Sequence, residues 1–179
     1  MSPNQSYYLN NQTLKARVDE LKPGDMIYFS GTLYTARDAA HKRMAEQLQK
    51  GEPLPFPLQD AMIYYAGPTQ TPPHMAIGSC GPTTASRMDG FTPDLMDAGL
   101  FATIGKGNRN KSVYESIVRN KGLYLCAIGG AGAIMAKSVV HCDVIAYEDL
   151  GCESIKRLVT KDMPLIVGIN CTGETLFKD

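Results

Sequence analysis

Short apolar runs alternate along the chain with longer segments whose apolar residues recur at helical spacing. Apolar, β-rich runs between glycine and proline turns predict strands at 26–30, 61–66, 75–77, 123–128, 144–147 and 165–169. Helical spacing and turn signals predict helices over 36–50, from about 83, over 92–99, over 112–120, from the turn at 129–132 to 138, and over 153–158. This alternation favours a layered α/β domain with flanking helices and a mainly parallel or mixed sheet.

The helix predicted over 36–50 carries the clearest local signals. Thr35 and Asp38 have the spacing of a capping box in which aspartate replaces glutamate. Gly51 and the proline-rich segment after it end the helix. The apolar stripe of this helix consists of Ala36, Ala40, Met44 and Leu48.

The chain has 179 residues, which is long enough to bury a core, and it shows no internal repeat or low-complexity linker. We therefore expect one domain over 21–179, preceded by a polar arm over 1–20. The formal net charge is zero, whereas a nucleic-acid-binding protein normally has a basic surplus. No run reaches the roughly 18 apolar residues of a membrane helix, and the N-terminus lacks the regions of a secretion signal. We expect a cytoplasmic protein that binds neither nucleic acid nor membrane.

Five cysteines are scattered along the chain, and none forms a CxxC pair: Cys80, Cys126, Cys142, Cys152 and Cys171. An odd, dispersed set gives poor support to a disulfide framework or to a zinc or iron–sulfur site within this chain. We therefore expect no metal ligands here. We interpret the last four as reduced core residues. A nucleophilic pair of Cys80 with a histidine has no general base tied to it.

The segment from Gly78 to Asp89 combines glycines, a proline, adjacent threonines and an arginine directly after the apolar run 75–77. A glycine-rich turn that leaves a strand and opens a helix exposes unpaired backbone N–H groups at the positive end of the helix dipole. Such a turn binds anions. The sequence therefore predicts carboxylate or phosphate chemistry at this segment.

Cationic side chains follow three of the predicted strands. They are Arg37, Arg87 and Lys106, and each lies close to a turn marked by glycine or by a capping residue. The loops at the carboxyl ends of parallel strands gather at one sheet edge, so the three cations could converge on a ligand with two carboxylates. Each also has a plainer interpretation. Arg37 could be solvated, Arg87 could pair with Asp89 or Asp94, and the loop around Lys106 is too short for a phosphate-binding P-loop.

Two further side chains are candidates for proton chemistry. His41 lies one helical turn after Arg37 and could donate to a ligand, carry a proton or simply fill the core. Thr83 could be a catalytic hydroxyl, although such threonines are more often helix caps. The chain offers neither an obvious strong base nor a metal-ligand cluster. This inventory fits an incomplete active site that another polypeptide completes.

Four ordered motifs resemble a known family. They are GTLYTARDAAHKR at 31–43, YAGP at 65–68, IGSCGPTTASRMD at 77–89 and IGKG at 104–107. Together they look like the β-type domain of iron–sulfur hydro-lyases, the class I fumarate hydratases and the L-tartrate dehydratases. The resemblance runs in order from about residue 21 to 177.

The resemblance implies a swivelling β/β/α domain that works with a separate α subunit. In this family the α part holds a [4Fe–4S] cluster through three cysteines and supplies the base. The β domain would contribute Arg37, Arg87 and Lys106 as carboxylate-binding cations and Thr83 as general acid. His41 and Asn108 match or adjoin motif positions, and the resemblance gives them no defined role.

The implied reaction is the reversible hydration of fumarate to L-malate. The motif at Arg87 and the proline-rich loop after Gly67 look more like the fumarase branch than the tartrate branch. A β subunit of L-tartrate dehydratase is one alternative. A carboxylate-binding module without catalysis is another.

Overall fold

A seven-stranded mixed sheet forms the centre of this computed structural model, which describes residues 4–127 and 132–177. The order of strands across the sheet is β1-β2-β3-β4-β5-β7-β6. The strands are β1 (Ser6–Leu9), β2 (Met26–Thr35), β3 (Met62–Tyr64), β4 (Ala102–Gly105), β5 (Leu123–Ala127), β6 (Val139–Ala146) and β7 (Ile155–Ile169).

Strands β1 to β5 pair in parallel, whereas β7 runs antiparallel to β2, β5 and β6. The long strand β7 bonds to β5 near its C-terminal end and to β2 along most of its length. The pairings β2–β3–β4–β5–β7–β2 therefore close into a ring. This closure leaves the carboxyl ends of β2, β3 and β4 side by side at one end of the ring.

Five α-helices flank the sheet in the described residues: α1 (Asn11–Ala16), α2 (Asp38–Gln49), α3 (Thr92–Asp97), α4 (Lys111–Asn120) and α5 (Gly132–Lys137). Alternate residues of a strand point to opposite faces. Accordingly, Met62 and Tyr64 belong to one buried cluster, and Ile63 belongs to a second cluster that includes residues of α2, α3 and α4. The layered α/β architecture predicted from the sequence is confirmed. None of the described helices combines the length and apolarity that a membrane crossing requires.

Residues 6–20, in the segment where we expected a polar arm, are part of the sheet and the core. Strand β1 extends the sheet beside β2, and α1 packs behind it. Leu9, Leu14 and Val18 are buried in the same cluster as the strands. Three isolated apolar residues at helical and strand spacing were enough to dock this otherwise polar segment.

Several predicted elements differ from the structure. Residues 75–77 form a bend and not a strand, and the predicted helix from 83 is only a 3-10 turn, Ala85–Met88. The stretch 153–158, predicted as helix, is the end of a 3-10 segment followed by the start of β7. The apolar and β-branched residues of 155–160 pair with both β2 and β6, and this pairing outweighs their helical spacing.

The predicted capping box of α2 is also wrong. Arg37, not Thr35, is the N-cap residue, and no side chain caps the helix from that position. Thr35 completes β2, where its hydroxyl accepts a hydrogen bond from the backbone N–H of Lys156 at 3.1 Å. The predicted glycine turn 129–132 and the end of the strand predicted to 128 lie largely outside the described residues.

Candidate functional site

The carboxyl ends of three adjacent parallel strands place the predicted cations at one end of the sheet. Arg37 follows β2 by two residues, and Lys106 follows β4 directly. The segment that follows β3, from Tyr65 to Gly67, lies between Arg37 and Lys106. The loops that carry Arg37 and Lys106 therefore leave the same end of the sheet.

Thr83 lies between the ends of β3 and β4. Its backbone N–H donates to the carbonyl of Tyr65 at 2.6 Å, and its carbonyl accepts from the N–H of Lys106 at 3.3 Å. The next residues continue the contact, because Thr84 forms a parallel bridge with Lys106 and Ala85 N–H donates to the Lys106 carbonyl at 2.9 Å. The backbone thus holds Thr83 and Lys106 next to each other.

These hydrogen bonds occupy several backbone N–H groups of the segment that was expected to bind an anion. The N–H of Thr83 donates to Tyr65, that of Ala85 donates to Lys106 beside the Thr84–Lys106 bridge, and that of Cys80 donates to the carbonyl of Gly132 at 3.1 Å. Ser79 N–H donates to the hydroxyl of Thr69 at 2.9 Å. Because no α-helix follows, the segment offers no helix N-terminus either. The prediction of a turn that opens an α-helix is therefore wrong, and the full positive charges near this segment are those of side chains.

Arg87 is joined to the beginning of α2 by an ion pair with Asp38. Arg87 Nε donates to Asp38 Oδ1 at 3.0 Å, and Nη2 lies 2.8 Å from Oδ2. The expected alternative partners, Asp89 and Asp94, are therefore wrong. Since Asp38 directly follows Arg37, the ion pair brings Arg87 to the same side of the molecule as Arg37.

The guanidinium of Arg37 is closely surrounded and only 22% exposed. A β-carbon at Gly67 would lie 2.8 Å from Nη1, so the glycine makes room for the arginine. On another side Nη2 lies 3.5 Å from Glu153 Oε1, and Glu153 Oε2 accepts from the N–H of Ala39 at 3.0 Å. The buried Nε of Arg37 has no hydrogen-bond partner among the described residues. An Arg37 with unused donors can bind an additional acceptor.

His41 is completely buried behind Arg37, so the structure does not support the interpretation of a surface donor. Nδ1 lies 2.8 Å from the carbonyl oxygen of Arg37 and must carry the proton, because a carbonyl only accepts. The ring contacts Tyr65 edge-on. Burial is the main cause that lowers the pKa of His41 to about 4; the charge of Arg109 acts in the same direction, and the hydrogen bond to Arg37 opposes it. His41 is therefore neutral at neutral pH, with its Nδ1–H donating to the carbonyl of Arg37, the residue that begins α2.

Lys106 and Asn108 lie on the exposed loop after β4. Within the described residues no carboxylate forms an ion pair with Lys106. The side-chain oxygen of Asn108 accepts from the N–H of Arg109 and from the hydroxyl of Tyr114, both at 2.7 Å. Lys106 therefore presents a free cation, whereas the contacts of Asn108 shape the loop.

A buried ion pair beneath this loop was missed by sequence reasoning. Arg109 Nε donates to Asp89 Oδ1 at 2.6 Å, and its other nitrogens donate to the hydroxyls of Thr103 and Thr92 at 2.9 and 2.8 Å. Asp89 Oδ2 accepts from the N–H of Asn110 at 2.7 Å. This pair ties the segment that carries Thr83 and Arg87 to the loop that carries Lys106. Asp89 is the last residue of the motif at 77–89, and Arg109 follows the motif at 104–107 by two residues, but nothing in their spacing of 20 residues predicts the contact.

The described residues contain no group of three or more His, Cys, Asp or Glu side chains that could hold a metal ion. Burial also raises the pKa of the Cys80 thiol to about 12 and that of Cys126 to about 11. Both thiols are therefore protonated at neutral pH. Within 4–127 and 132–177, the side chains do not fit an iron–sulfur cluster.

Comparisons with known proteins point to one family. A family model described as Fumarase C-terminus matches residues 2–179. A Methanocaldococcus jannaschii protein named putative L(+)-tartrate dehydratase subunit beta is 34% identical over 178 residues, covering 96% of this chain and 91% of that protein. Fumarate hydratase 2 of Leishmania major is 37% identical over 167 residues, covering 92% of this chain and 29% of that protein.

The aerobic class I fumarate hydratase of Escherichia coli is 34% identical over 165 residues, covering 91% of this chain and 30% of that protein. The chain therefore spans less than a third of the length of these fumarate hydratases. It spans nearly all of the tartrate dehydratase β subunit. The resemblance seen in the sequence motifs is confirmed.

Proposed function

Since the chain belongs to the fumarase C-terminus family, we propose that it is the β subunit of an iron–sulfur hydro-lyase that interconverts fumarate and L-malate. In this proposal the chain binds the carboxylates of a small diacid and supplies a proton-donating hydroxyl. A separate α subunit completes the site. The complex works in the cytoplasm.

The observation that carries the proposal is the common position of the three cations and Thr83. Arg37 and Arg87 are linked through Asp38, and Thr83 and Lys106 are linked by their backbones, all at the carboxyl ends of β2, β3 and β4. Arginine holds a carboxylate with two parallel hydrogen bonds, and lysine adds a point charge. Three cations and a hydroxyl suit a ligand that has two carboxylates.

The same arrangement supports catalysis of proton removal beside a carboxylate. When that proton leaves, negative charge develops on the neighbouring carboxylate group. Cations that are already fixed by the fold stabilise this developing charge more than they stabilise the substrate before its C–H bond is broken. Arg37, held between Gly67 and Glu153, is the most firmly positioned of the three. Thr83 would donate the proton that the leaving hydroxyl requires.

We assign the [4Fe–4S] cluster of the proposed enzyme to the α subunit. The described residues of this chain lack a ligand set for it, as shown above. The similarity to a protein named as a dehydratase subunit beta, 34% identical over 178 residues, also supports two separate chains. The base that removes the substrate proton is assigned to the α subunit for the same reason, because the described site offers no free strong base.

A β subunit of L-tartrate dehydratase is the second candidate. Its support is the similarity to the archaeal protein named putative L(+)-tartrate dehydratase subunit beta, which is 34% identical over 178 residues. The fumarase-like motif at 87–89 and the proline-rich loop after Gly67 favour fumarate. A carboxylate-binding module without catalysis is less consistent with the presence of Thr83 beside Lys106.

Anaerobic co-purification and assay test this proposal. The tagged chain is expressed in its native host without oxygen, and the captured complex is assayed by the ultraviolet absorbance of fumarate and by product analysis with L-tartrate. We expect a brown complex that hydrates fumarate faster than it dehydrates L-tartrate, and a colourless, inactive chain after the partner is removed. A brown isolated chain would contradict the division between subunits. A coloured complex without activity on either diacid would contradict the hydro-lyase.

A further inference from the structure

Asp38 contacts Arg87 from a fixed position: Oδ1 accepts a hydrogen bond from Nε, and Oδ2 lies within ion-pair distance of Nη2 without forming a hydrogen bond. It is the first residue of α2 and directly follows Arg37. Arg87, by contrast, lies on the 3-10 turn Ala85–Met88, with half of its side chain exposed. The two contacts, 3.0 Å from Nε and 2.8 Å from Nη2, occupy one edge of the guanidinium. The remaining donors, the two on Nη1 and the second one on Nη2, face away from Asp38 because the guanidinium group is planar and rigid.

We propose that Asp38 is the positioning residue for Arg87: it holds one edge of the guanidinium so that the opposite edge is presented to a substrate carboxylate. This inference rests on the function proposed above. An exposed arginine samples many rotamers, and ordering it on binding costs free energy. Because the ion pair already orders Arg87 in the free protein, substrate binding does not have to order this side chain. It also couples the orientation of Arg87 to the start of α2, where Arg37 is the N-cap.

A second ion pair that involves α2, Arg43–Asp149, is a control. It separates an effect of Asp38 on the position of Arg87 from an effect on the stability of the protein. Arg43 and Asp149 form two hydrogen bonds, both 2.8 Å long, and they are 38% and 66% exposed. Exposed pairs of this kind contribute little to folding. The Asp38–Arg87 pair has similar exposure, 35% and 50%. Loss of either carboxylate should therefore leave a folded protein, and only the loss at Asp38 should change the kinetics.

A double-mutant cycle in the co-purified complex tests the proposal. We expect Asp38→Asn to lower kcat/KM about tenfold, mainly through a higher KM. Arg87→Ala should lower it further, and Asp38→Asn should have no additional effect in the Arg87→Ala background. Asp149→Asn should retain the wild-type kinetics. Additive effects of Asp38→Asn and Arg87→Ala would overturn the proposal, because Asp38 would then act by another route.

A second measurement follows the order of the Arg87 side chain and does not depend on enzyme activity. In nitrogen-15 spectra of the complete chain, the Arg87 Nε–H should exchange slowly in the wild type and in Asp149→Asn. It should be broadened in Asp38→Asn. Identical Arg87 signals in wild type and Asp38→Asn would overturn the positioning role even if the complex is active. An inactive wild-type complex would instead overturn the proposed function, and this proposal with it.

Discussion

Thr83 is the side chain to which the proposed chemistry assigns a proton, and its surroundings allow a clean test. Its backbone, not its hydroxyl, makes the contacts with Tyr65 and Lys106. Thr83→Val should therefore keep the fold and the KM, and should lower kcat about a hundredfold or more, as expected when a general acid is lost. Steady-state kinetics of the complex measure this. The control is Thr84→Val, a change at the exposed neighbouring threonine, which should have wild-type kinetics. Normal turnover in Thr83→Val would show that Thr83 is not the general acid.

His41 makes stability depend on pH. An unfolded histidine binds a proton below about pH 6.5, whereas buried His41 has a pKa of about 4. Between these values the unfolded chain binds more protons, so the free energy of unfolding falls as the pH drops from about 6.5 to about 4. The expected loss is about 3 kcal/mol over this interval. Urea titrations at several pH values measure it.

The control for this prediction compares two histidines. In His41→Gln the loss of stability between pH 6.5 and 4 should be smaller than in the wild type. His74 is exposed and has a positive φ of 65°, a conformation that asparagine tolerates. His74→Asn should retain the wild-type pH dependence. Equal pH dependence in wild type and His41→Gln would contradict the assignment of the effect to His41.

At the scale of elements, the Arg109–Asp89 pair holds together two segments of the candidate site, the one that carries Thr83 and Arg87 and the loop that carries Lys106. The side chain of Arg109 has no exposed surface, and that of Asp89 is 5% exposed. The guanidinium also lies over the rings of Tyr65 and Tyr124, at 5.3 and 4.8 Å from their centres. Removing one partner of such a pair leaves an unpaired charge in the interior, which is far more costly than losing an exposed pair.

Arg109→Met should therefore lower the free energy of unfolding by about 3–5 kcal/mol. The matched control is Arg119→Met on α4, which breaks the exposed pair with Asp97 and should cost less than about 1 kcal/mol. Chemical denaturation of both variants measures the difference. Similar stabilities of the two variants would show that the buried pair does not hold the two segments together.

At the scale of the whole molecule, the N-terminal segment and the ring of strands form a common core. Leu14 of α1 is completely buried in the cluster that also contains Ile27, Phe29 and Leu165. Leu14→Ala should lower the free energy of unfolding by about 2–5 kcal/mol in a single cooperative transition. Gln12→Ala, on the exposed side of the same helix, should change it little. A detached polar arm would instead make Leu14→Ala as neutral as the control.

The sequence by itself determined the layered α/β class, the family and the residues of the candidate site. Regular spacing predicted α2 and α4 almost to their ends, because both bury a periodic apolar stripe. The motifs identified Arg37, Thr83, Arg87 and Lys106 because each stands in an ordered, specific pattern. The roles of these residues stay predictions. Glycines and prolines marked the loops after the strands, since they set local backbone geometry.

Only the tertiary structure decided which side chains are partners. Asp38 is three residues after Thr35, which predicted a local cap, yet its carboxylate pairs with Arg87, 49 residues away. The segment 153–158 has helical spacing, but pairing with two strands makes it the beginning of β7. Likewise, Glu153 contacts Arg37 and Ala39 only because the 3-10 segment before β7 packs against α2. Spacing records neighbours along one element, whereas the site depends on contacts between elements that are distant in sequence, and these form only when the ring of strands closes.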